Sequence, residues 1–321
     1  MFNLNKEKNK DFKILQITDI QIIDPNQRCY DERLSKESIL RYQDINECVF
    51  NKLKKLIEDV KPDYIISTGD NVYGEFDLSG EMFKKFVEFM DSFNIPWSFI
   101  NGNHDGETDI EYNSIMYHCG IGMKWQGEYA TKNTKNLLFE LGDEKMGYGN
   151  YTVTLLEDGK PLYNFIFMDT HGARGIEEAG INECQMKWYK EKILENKMAD
   201  SLLFIHIPLF EYMEAAIKYY GSELCFISDG TKKNERGDFG QNLEKLCVFD
   251  SHNFFSLMKE LGSTKYVFCG HDHVNNSSIL YDGIRLTYGM KMGIYDYHKM
   301  QGGTLITINE NGIDINQIII D

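Results

Sequence analysis

The chain has 321 residues and a formal net charge of −16, with 42% hydrophobic and 26% charged residues. This composition supports a sizeable core and is ordinary for a soluble globular protein, while length alone permits one large domain or two smaller ones. The acidic surface argues against nucleic acid, an anionic membrane or a long polyanion as a partner. A small anionic substrate stays open, because bound cations reverse the local field. Nothing in the composition specifies an oligomeric state.

Targeting signals and a disulfide framework are not evident. The first residues, MFNLNKEKNKDFK, lack the apolar core of a signal peptide, and no apolar run approaches the length of a membrane span. These features predict a soluble, cytoplasmic protein. Seven cysteines are scattered without a C-x-x-C pair, so we expect reduced thiols rather than disulfides or a thiolate zinc site.

The N-terminal third has a β-α-β-α-β pattern. An apolar run at 12–18 predicts a strand, helical spacing follows over 37–60, and the next strand is predicted at 63–67. A helix over 79–94 and a strand at 97–100 complete the pattern. Such alternation is typical of a right-handed, mainly parallel sheet covered by helices.

Two stretches, 106–150 and 210–250, break this rhythm and are predicted to be loop insertions in a single domain over 1–321. Helices are predicted at 182–196 and 251–261, and Asn311-Gly312 is a hairpin signal near the end of the chain. The strands predicted in this part are 150–156, 162–169, 201–206, 265–269, 278–281, 284–288, 303–308 and 313–319.

Polar side chains follow several of the predicted strands. In open α/β sheets, ligands bind outside the carboxyl ends of the strands, so we expect these side chains to meet. The pattern predicts one site that holds two metal ions. The motifs are Ile-Thr-Asp19-Ile-Gln21, Thr-Gly-Asp70-Asn-Val-Tyr73, Asn101-Gly-Asn103-His104-Asp105, Phe-Ile-His206-Ile-Pro208 and Gly270-His271-Asp272-His273.

The candidate ligands mix carboxylate, amide and imidazole groups, which suits Mn, Fe or Zn better than Ca or Mg alone. They are Asp19, Asp70, Asn103, His206, His271 and His273. A carboxylate at Asp70 could bridge two ions, and Asn103 offers a neutral carbonyl oxygen. Two ions about 3.5–4 Å apart can clamp a phosphate and generate hydroxide from water.

Two further residues are candidates for catalysis. His104 directly follows a candidate ligand, so we expect it to face the substrate, where it would protonate the leaving oxygen or stabilise transition-state charge. Asp105 is expected to orient His104 or a metal ligand.

The ordered set D-x-[HQ], G-D, G-N-H-[DE], H and G-H-x-H resembles the calcineurin-like metallophosphoesterase superfamily, from residue 12 to about residue 300. FIHIP and VFCGHDHVNN resemble bacterial relatives of a purple-acid-phosphatase-like group. The resemblance implies an α/β fold in which two packed, mixed β-sheets are flanked by helices, a four-layer sandwich with a dimetal centre at the strand ends. It also implies the following roles: Asp19 and His273 on the first metal, Asp70 as the bridge, Asn103, His206 and His271 on the second metal, and His104 as the catalytic histidine.

One position departs from the commonest motif. Gln21 stands where D-x-H has a histidine, and a glutamine carbonyl is a weaker, neutral donor. Some relatives that cleave nucleotide diphosphates, such as manganese-dependent ADP-ribose pyrophosphatases, also carry glutamine there. Tyr73 fits the G-D-x-x-Y motif of purple acid phosphatases, in which the tyrosine binds ferric iron. Gln21, Tyr73 or a water could therefore complete the first metal, and Tyr73 could instead be a packed aromatic residue.

The resemblance implies a hydrolase of small phosphate esters in which metal-bound hydroxide attacks phosphorus, with two ions that are Mn or Fe, or alternatively Zn. A nucleotide-diphosphate pyrophosphatase is the alternative that Gln21 favours. A catalytically silent binding module on the same scaffold is an alternative of another class, and lost ligands would be its mark. The expected partner is a small phosphorylated substrate.

Overall fold

The computed structural model describes residues 2–26, 40–77, 79–107, 121–172, 178–196, 199–230, 232–294 and 300–320. Its helices are α1 Tyr42–Val60, α2 Glu81–Asp91, α3 Ile121–Asn133, α4 Glu183–Glu195, α5 Phe210–Tyr220 and α6 His252–Leu261. Its strands are β1 Phe2–Lys6, β2 Phe12–Ile17, β3 Tyr64–Thr68, β4 Trp97–Ile100, β5 Tyr151–Glu157, β6 Lys160–Phe167, β7 Ser201–Phe204, β8 Cys225–Phe226, β9 Gln241–Asn242, β10 Thr264–Cys269, β11 Ser278–Tyr281, β12 Ile284–Tyr288, β13 Gln301–Asn309 and β14 Gly312–Ile320.

The strands form two large mixed sheets. The seven-stranded sheet has the order β1-β5-β6-β7-β10-β12-β11, and the five-stranded sheet has the order β14-β13-β2-β3-β4. In the five-stranded sheet, β2, β3 and β4 are parallel, and β13 pairs antiparallel with β2. In the seven-stranded sheet, β6, β7 and β10 are parallel neighbours. The strands that carry the sequence motifs therefore all lie in parallel blocks.

The two sheets pack face to face through aromatic side chains. The ring of Tyr64 on β3 stacks on Phe165 of β6 with centroids 5.9 Å apart, and the Tyr151 hydroxyl donates to the Phe99 carbonyl at 2.7 Å. Successive residues of a strand point to opposite faces. In β6, Phe165 accordingly lies in the core between the sheets, while Ile166 lies in a second core on the other face.

Helices cover the outer face of each sheet. α1 and α2 bury apolar residues at helical spacing against the five-stranded sheet, and α4, α5 and α6 pack on the seven-stranded sheet. α1 ends at Lys61, whose φ of 51° is left-handed and which stands before Pro62. These layers confirm the predicted four-layer α/β sandwich. No helix within the described ranges is both long and apolar enough to cross a membrane.

Five of the helices and strands were not predicted, namely α3, α5, β1 and the short strands β8 and β9. α3 and α5 lie inside the stretches 106–150 and 210–250, which the sequence pattern assigns to loops. α3 lacks an apolar stripe and contains Gly127, so its sequence does not indicate a helix. The apolar face of α5 is short, and most of the stretch 210–250 around it is polar. β1 has a single buried leucine and gains its order from parallel pairing with β5. Residues 37–39 of the first predicted helix and 108–120 of the first insertion lie outside the described residues.

All cysteines in the described part are free thiols, namely Cys48, Cys184, Cys225, Cys247 and Cys269.

Candidate dimetal site

The motif loops meet where the parallel strands of both sheets end. Asp19 donates its backbone N–H to the Gly69 carbonyl at 3.0 Å, and Gln21 donates to the Asp70 carbonyl at 2.9 Å. These bonds tie the loop after β2 to the loop after β3. In the other sheet, the loops after β7 and β10 are joined in the same way by a bond from Gly270 to the His206 carbonyl at 3.0 Å. The structure therefore brings together residues that lie up to 254 positions apart, from Asp19 to His273.

One cluster of donors consists of Asp19, Asp70 and His273, whose ligand atoms all lie within 4.8 Å of one another. His273 Nε2 lies 3.4 Å from Asp19 Oδ1. The other carboxylate oxygen of Asp19 accepts from the Thr18 hydroxyl at 2.8 Å and from the His271 backbone at 3.0 Å. Asp19 Oδ1 is buried and has no hydrogen-bond partner within the described part of the chain. A cation fits this oxygen, because a buried acceptor without a donor is costly.

The second cluster surrounds the side-chain oxygen of Asn103. Asn103 Oδ1 lies 3.1 Å from His206 Nε2 and 2.9 Å from His271 Nδ1. His206 Nδ1 must donate to the Thr68 carbonyl at 2.8 Å, so Nε2 of a neutral His206 presents a lone pair. That lone pair faces oxygen acceptors of Asn103 and of Asp70, the latter at 3.3 Å. Converging acceptors of this kind fit a bound cation.

The electrostatics of the site favour positive charge at His206 and disfavour it at His271. Burial disfavours protonation of His206, but the carboxylate of Asp70 outweighs it and raises the pKa of His206 to about 10, so positive charge is favoured between Nε2 and Asp70 Oδ1, as a proton or as a metal ion. Burial and the positive charge of His206 lower the pKa of His271 to about 3. Burial would raise the pKa of Asp70, yet His206 and His104 hold it well below its usual range. Asp70 thus stays ionised while touching both clusters, as a bridging carboxylate must.

Four residues of the site have left-handed backbone conformations. The φ angles are 50° at Asp19, 46° at Gln21, 50° at Asp70 and 76° at His271. Such conformations cost about 1–3 kcal/mol each for residues with a side chain and concentrate at functional sites. The loops therefore hold these side chains in place at the expense of backbone strain.

The two alternatives for the first metal occupy different places. Gln21 is buried and its Nε2 donates to Asp70 Oδ2 at 2.7 Å, so its amide touches the central carboxylate. The ring of Tyr73 stacks on the ring of His104 with centroids 4.2 Å apart. Gln21 thus lies beside the acidic cluster, and Tyr73 lies beside the candidate catalytic histidine. Which of them completes the first metal stays a prediction.

His104 is held by its backbone and by its ring. Its backbone N–H donates to Asp70 Oδ1 at 2.9 Å, and its ring Nδ1 lies 2.8 Å from Glu107 Oε2. Burial opposes a cation at His104, but the carboxylates of Asp70 and Glu107 outweigh it and raise the pKa of His104 to about 9. The ring therefore lies at the edge of the site, with Nδ1 occupied by the carboxylate of Glu107.

Of the two roles predicted for Asp105, its contacts favour the support of metal ligands over a contact with the ring of His104. Its carboxylate accepts backbone N–H groups of Asn71 at 3.3 Å, Val72 at 3.1 Å and Gly102 at 2.7 Å. Asp105 therefore fastens the loop after β3 to the loop after β4, and the ring of His104 is bonded by Glu107 instead. Glu107 belongs to none of the sequence motifs and was not predicted. The available signal is its spacing of three residues from His104, which places both on one side of a single helical turn.

An open cleft of about 510 Å³ lies beside the donors. Several lining residues were not predicted, because they come from segments that carry no motif. The lining residues are Tyr73, Asn103, His104, Gly172, Ala179, Ile207, Cys247, Val248 and His271. A substrate in this cleft would contact both the second donor cluster and His104.

Comparisons with known proteins show the family to which this chain belongs. The model of the calcineurin-like phosphoesterase family matches residues 12–275. The chain is 29% identical over 318 residues to "Probable inactive purple acid phosphatase 14" of Arabidopsis thaliana, covering 90% of this chain and 72% of that protein. It is 25% identical to "Phosphatase DCR2" of Saccharomyces cerevisiae, covering 94% of this chain and 52% of that protein. A dimetal phosphatase from Danio rerio shares the fold, with a TM-score of 0.59, 13% identity and coverage of 95% and 96% of the two chains. The chain therefore belongs to the calcineurin-like phosphoesterase family and is a phosphoric ester hydrolase with purple-acid-phosphatase-like relatives.

Proposed function

We propose that this protein hydrolyses small phosphate esters at a centre of two transition-metal ions, Mn or Fe, with Zn as the alternative. The observation that carries the proposal is the convergence of donors from both sheets on Asp70. Mixed carboxylate, amide and imidazole donors suit these metals. We propose Asp19 and His273 for the first ion, Asp70 as the bridge, and Asn103, His206 and His271 for the second ion.

When bound, the two ions would supply Lewis acidity toward the phosphate and activate a water molecule as the nucleophile. The remaining steps fall to the side chains of this chain. His104 lines the cleft, and the proposal is that it donates a proton from Nε2 to the oxygen that leaves phosphorus. Asp105 holds together the loops that carry Asp70 and Asn103, so that the donors keep their spacing.

The names of the plant relatives include the words "probable inactive", which raises the alternative of a catalytically silent binding module. Loss of ligands would be the mark of such a module. In this chain all six candidate ligands converge, and His104 stands beside them with a proton-donating ring. This arrangement supports hydrolysis rather than binding alone.

A nucleotide-diphosphate pyrophosphatase is the second candidate, because Gln21 stands at the motif position where manganese-dependent ADP-ribose pyrophosphatases also carry glutamine. Its amide contacts the central carboxylate. The volume of the cleft suits a small phosphorylated molecule as the substrate. The net charge of −16 supports the proposal that neither nucleic acid nor an anionic membrane is a partner. The free thiols of the described residues support a cytoplasmic location, where thiols stay reduced.

The test combines metal analysis with a substrate panel. Protein purified without chelator is analysed for its elements and then assayed with p-nitrophenyl phosphate, bis(p-nitrophenyl) phosphate and ADP-ribose, with added Mn, Fe or Zn. We expect about two ions per chain and turnover of one of the simple esters, which Asp70→Asn abolishes. Turnover of ADP-ribose alone would favour the pyrophosphatase. Metal-loaded protein that turns over nothing would contradict hydrolysis.

A further inference from the structure

We infer that Glu107 is a positioning residue that holds the ring of His104 so that Nε2 faces the leaving oxygen of the substrate. Glu107 ends the short 3-10 helix Asp105–Glu107, and its side chain is fully buried. Its Oε2 lies 2.8 Å from His104 Nδ1. Since this carboxylate occupies Nδ1, Nε2 is the ring nitrogen left for the cleft. The inference rests on the proposed function, because it assigns a part of the same reaction.

The ring of His104 is restrained from three sides. Glu107 bonds its edge, the ring of Tyr73 stacks on its face at 4.2 Å, and Asp70 accepts its backbone N–H at 2.9 Å. The side chain of His104 is only 16% exposed. A histidine held at Nδ1 cannot rotate to exchange its two nitrogens without losing the bond to Glu107. The restraint therefore selects which nitrogen reaches the substrate.

The burial of Glu107 is hard to explain by packing alone. Its second oxygen, Oε1, is buried and has no hydrogen-bond partner within the described ranges. A buried carboxylate with one oxygen unsatisfied destabilises the fold, so its presence requires a compensating role. The ion-pair contact with His104 supplies that role, because a carboxylate at Nδ1 fixes the orientation of a histidine that works through Nε2.

The proton transfer balances with this assignment. An attacking water forms a bond to phosphorus and releases a proton to solvent. As the bond between phosphorus and the leaving oxygen breaks, that oxygen takes the proton carried by Nε2 of His104. The ring remains neutral, with its Nδ1–H still donated to Glu107. Solvent then returns a proton to Nε2. Glu107 takes no proton in this scheme, so it acts on the reaction only through His104.

The test uses Glu107→Gln, which keeps the shape of the side chain and removes its charge. Help from a general acid matters most when the leaving group is poor. We therefore expect kcat to fall about tenfold to a hundredfold for an alkyl phosphate and clearly less for p-nitrophenyl phosphate, with KM and metal content nearly unchanged. Glu128→Gln, on the exposed face of α3, is the matched control and should equal the wild type.

A double-mutant cycle separates positioning from a merely structural role. In a His104→Asn background, Glu107→Gln should cause no further loss, because its effect passes through the ring. An equal loss with every leaving group, or an undiminished loss in the His104→Asn background, would overturn the inference. If Glu107→Gln fails to fold, Glu107→Asp keeps the charge, withdraws it from Nδ1 and should show the same dependence on the leaving group.

The two hypotheses fail in different ways. An active wild type whose Glu107→Gln variant is unaltered contradicts only the positioning role. A metal-loaded wild type that hydrolyses no ester contradicts the proposed function, and the positioning role falls with it.

Discussion

Gly102 lies directly against Asp70, the carboxylate shared by both donor clusters. A Cβ at position 102 would lie 2.7 Å from His206 Nε2 and closer still to Asp70 Oδ1 and the Asp70 backbone nitrogen. Side chains avoid approaches under 3.0 Å, and here the opposing backbone cannot move away cheaply. The close approach of the two loops therefore requires glycine at this position.

From this contact we predict that Gly102→Ala displaces Asp70 or His206 and lowers turnover by about a hundredfold or more, since small displacements of reacting groups cost that much. Elemental analysis should show loss of bound metal. Gly180→Ala is the matched control, because a Cβ there meets nothing within 4 Å. A fully metallated, fully active Gly102→Ala variant would contradict the geometry of the site.

His104 should be essential for turnover and dispensable for metal binding. Only its backbone N–H bonds Asp70, so His104→Ala keeps that contact and removes the ring. We expect turnover to fall by about a hundredfold to ten-thousandfold, the usual range for a general acid. The metal content of the His104→Ala variant should equal that of the wild type. His252→Ala removes an exposed histidine away from the cleft as a control. Unchanged turnover in His104→Ala would remove the assigned role.

The first metal should depend on Gln21 more than on Tyr73. The Gln21 amide contacts Asp70 at 2.7 Å, whereas the Tyr73 ring stacks on His104. We predict that Gln21→Ala weakens manganese binding by about tenfold, while Tyr73→Phe keeps both the ring stack and the metal affinity. Titration calorimetry measures both variants. A visible charge-transfer band in the iron-loaded protein, lost in Tyr73→Phe, would reverse the assignment.

Metal removal should lower thermal stability. Ligands that bind only the folded state stabilise it by about 2.7 kcal/mol at a hundredfold excess over Kd. Manganese should therefore raise the Tm of the apo protein, and a chelator should reverse the effect. Asp70→Asn should abolish the shift, because this residue belongs to both clusters. Calorimetry with and without manganese would check this, and an equal shift in the variant would argue for binding elsewhere.

Asp77 should make stability depend on pH away from the metal site. Its carboxylate accepts the backbone N–H groups of Met82 and Phe83 at 3.0 Å each, yet burial raises its pKa to about 7 from an ordinary value of 3.8. Between these values the folded state binds more protons than the unfolded state, so the contribution of Asp77 to stability falls as pH rises.

We predict that the free energy of unfolding of the wild type falls by up to about 4 kcal/mol, relative to that of Asp77→Asn, as the pH rises from 4 to 7. Urea denaturation of both proteins across this range measures the difference. If the free energies of unfolding of the wild type and of Asp77→Asn change with pH in parallel, the raised pKa is contradicted.

The sequence was sufficient to predict the sandwich fold and the convergence of the metal donors, because parallel strands bring their carboxyl ends to one edge of a sheet. It was insufficient where a role depends on local geometry. Asp105 and Glu107 both follow His104 closely, and only the path of the short 3-10 helix decides which carboxylate meets the ring. α3 and α5 escaped prediction since neither long stretch shows an extended apolar stripe.

The division of the donors between two sheets bears on how the protein matures. Asp19, Asp70 and Asn103 follow strands of the five-stranded sheet, while His206, His271 and His273 follow strands of the seven-stranded sheet. Neither half alone offers the proposed ligand set of either ion. During synthesis on the ribosome, His271 and His273 emerge only after most of the chain. The proposed ligand set is therefore complete only when nearly the whole chain has been made and the two sheets have packed together.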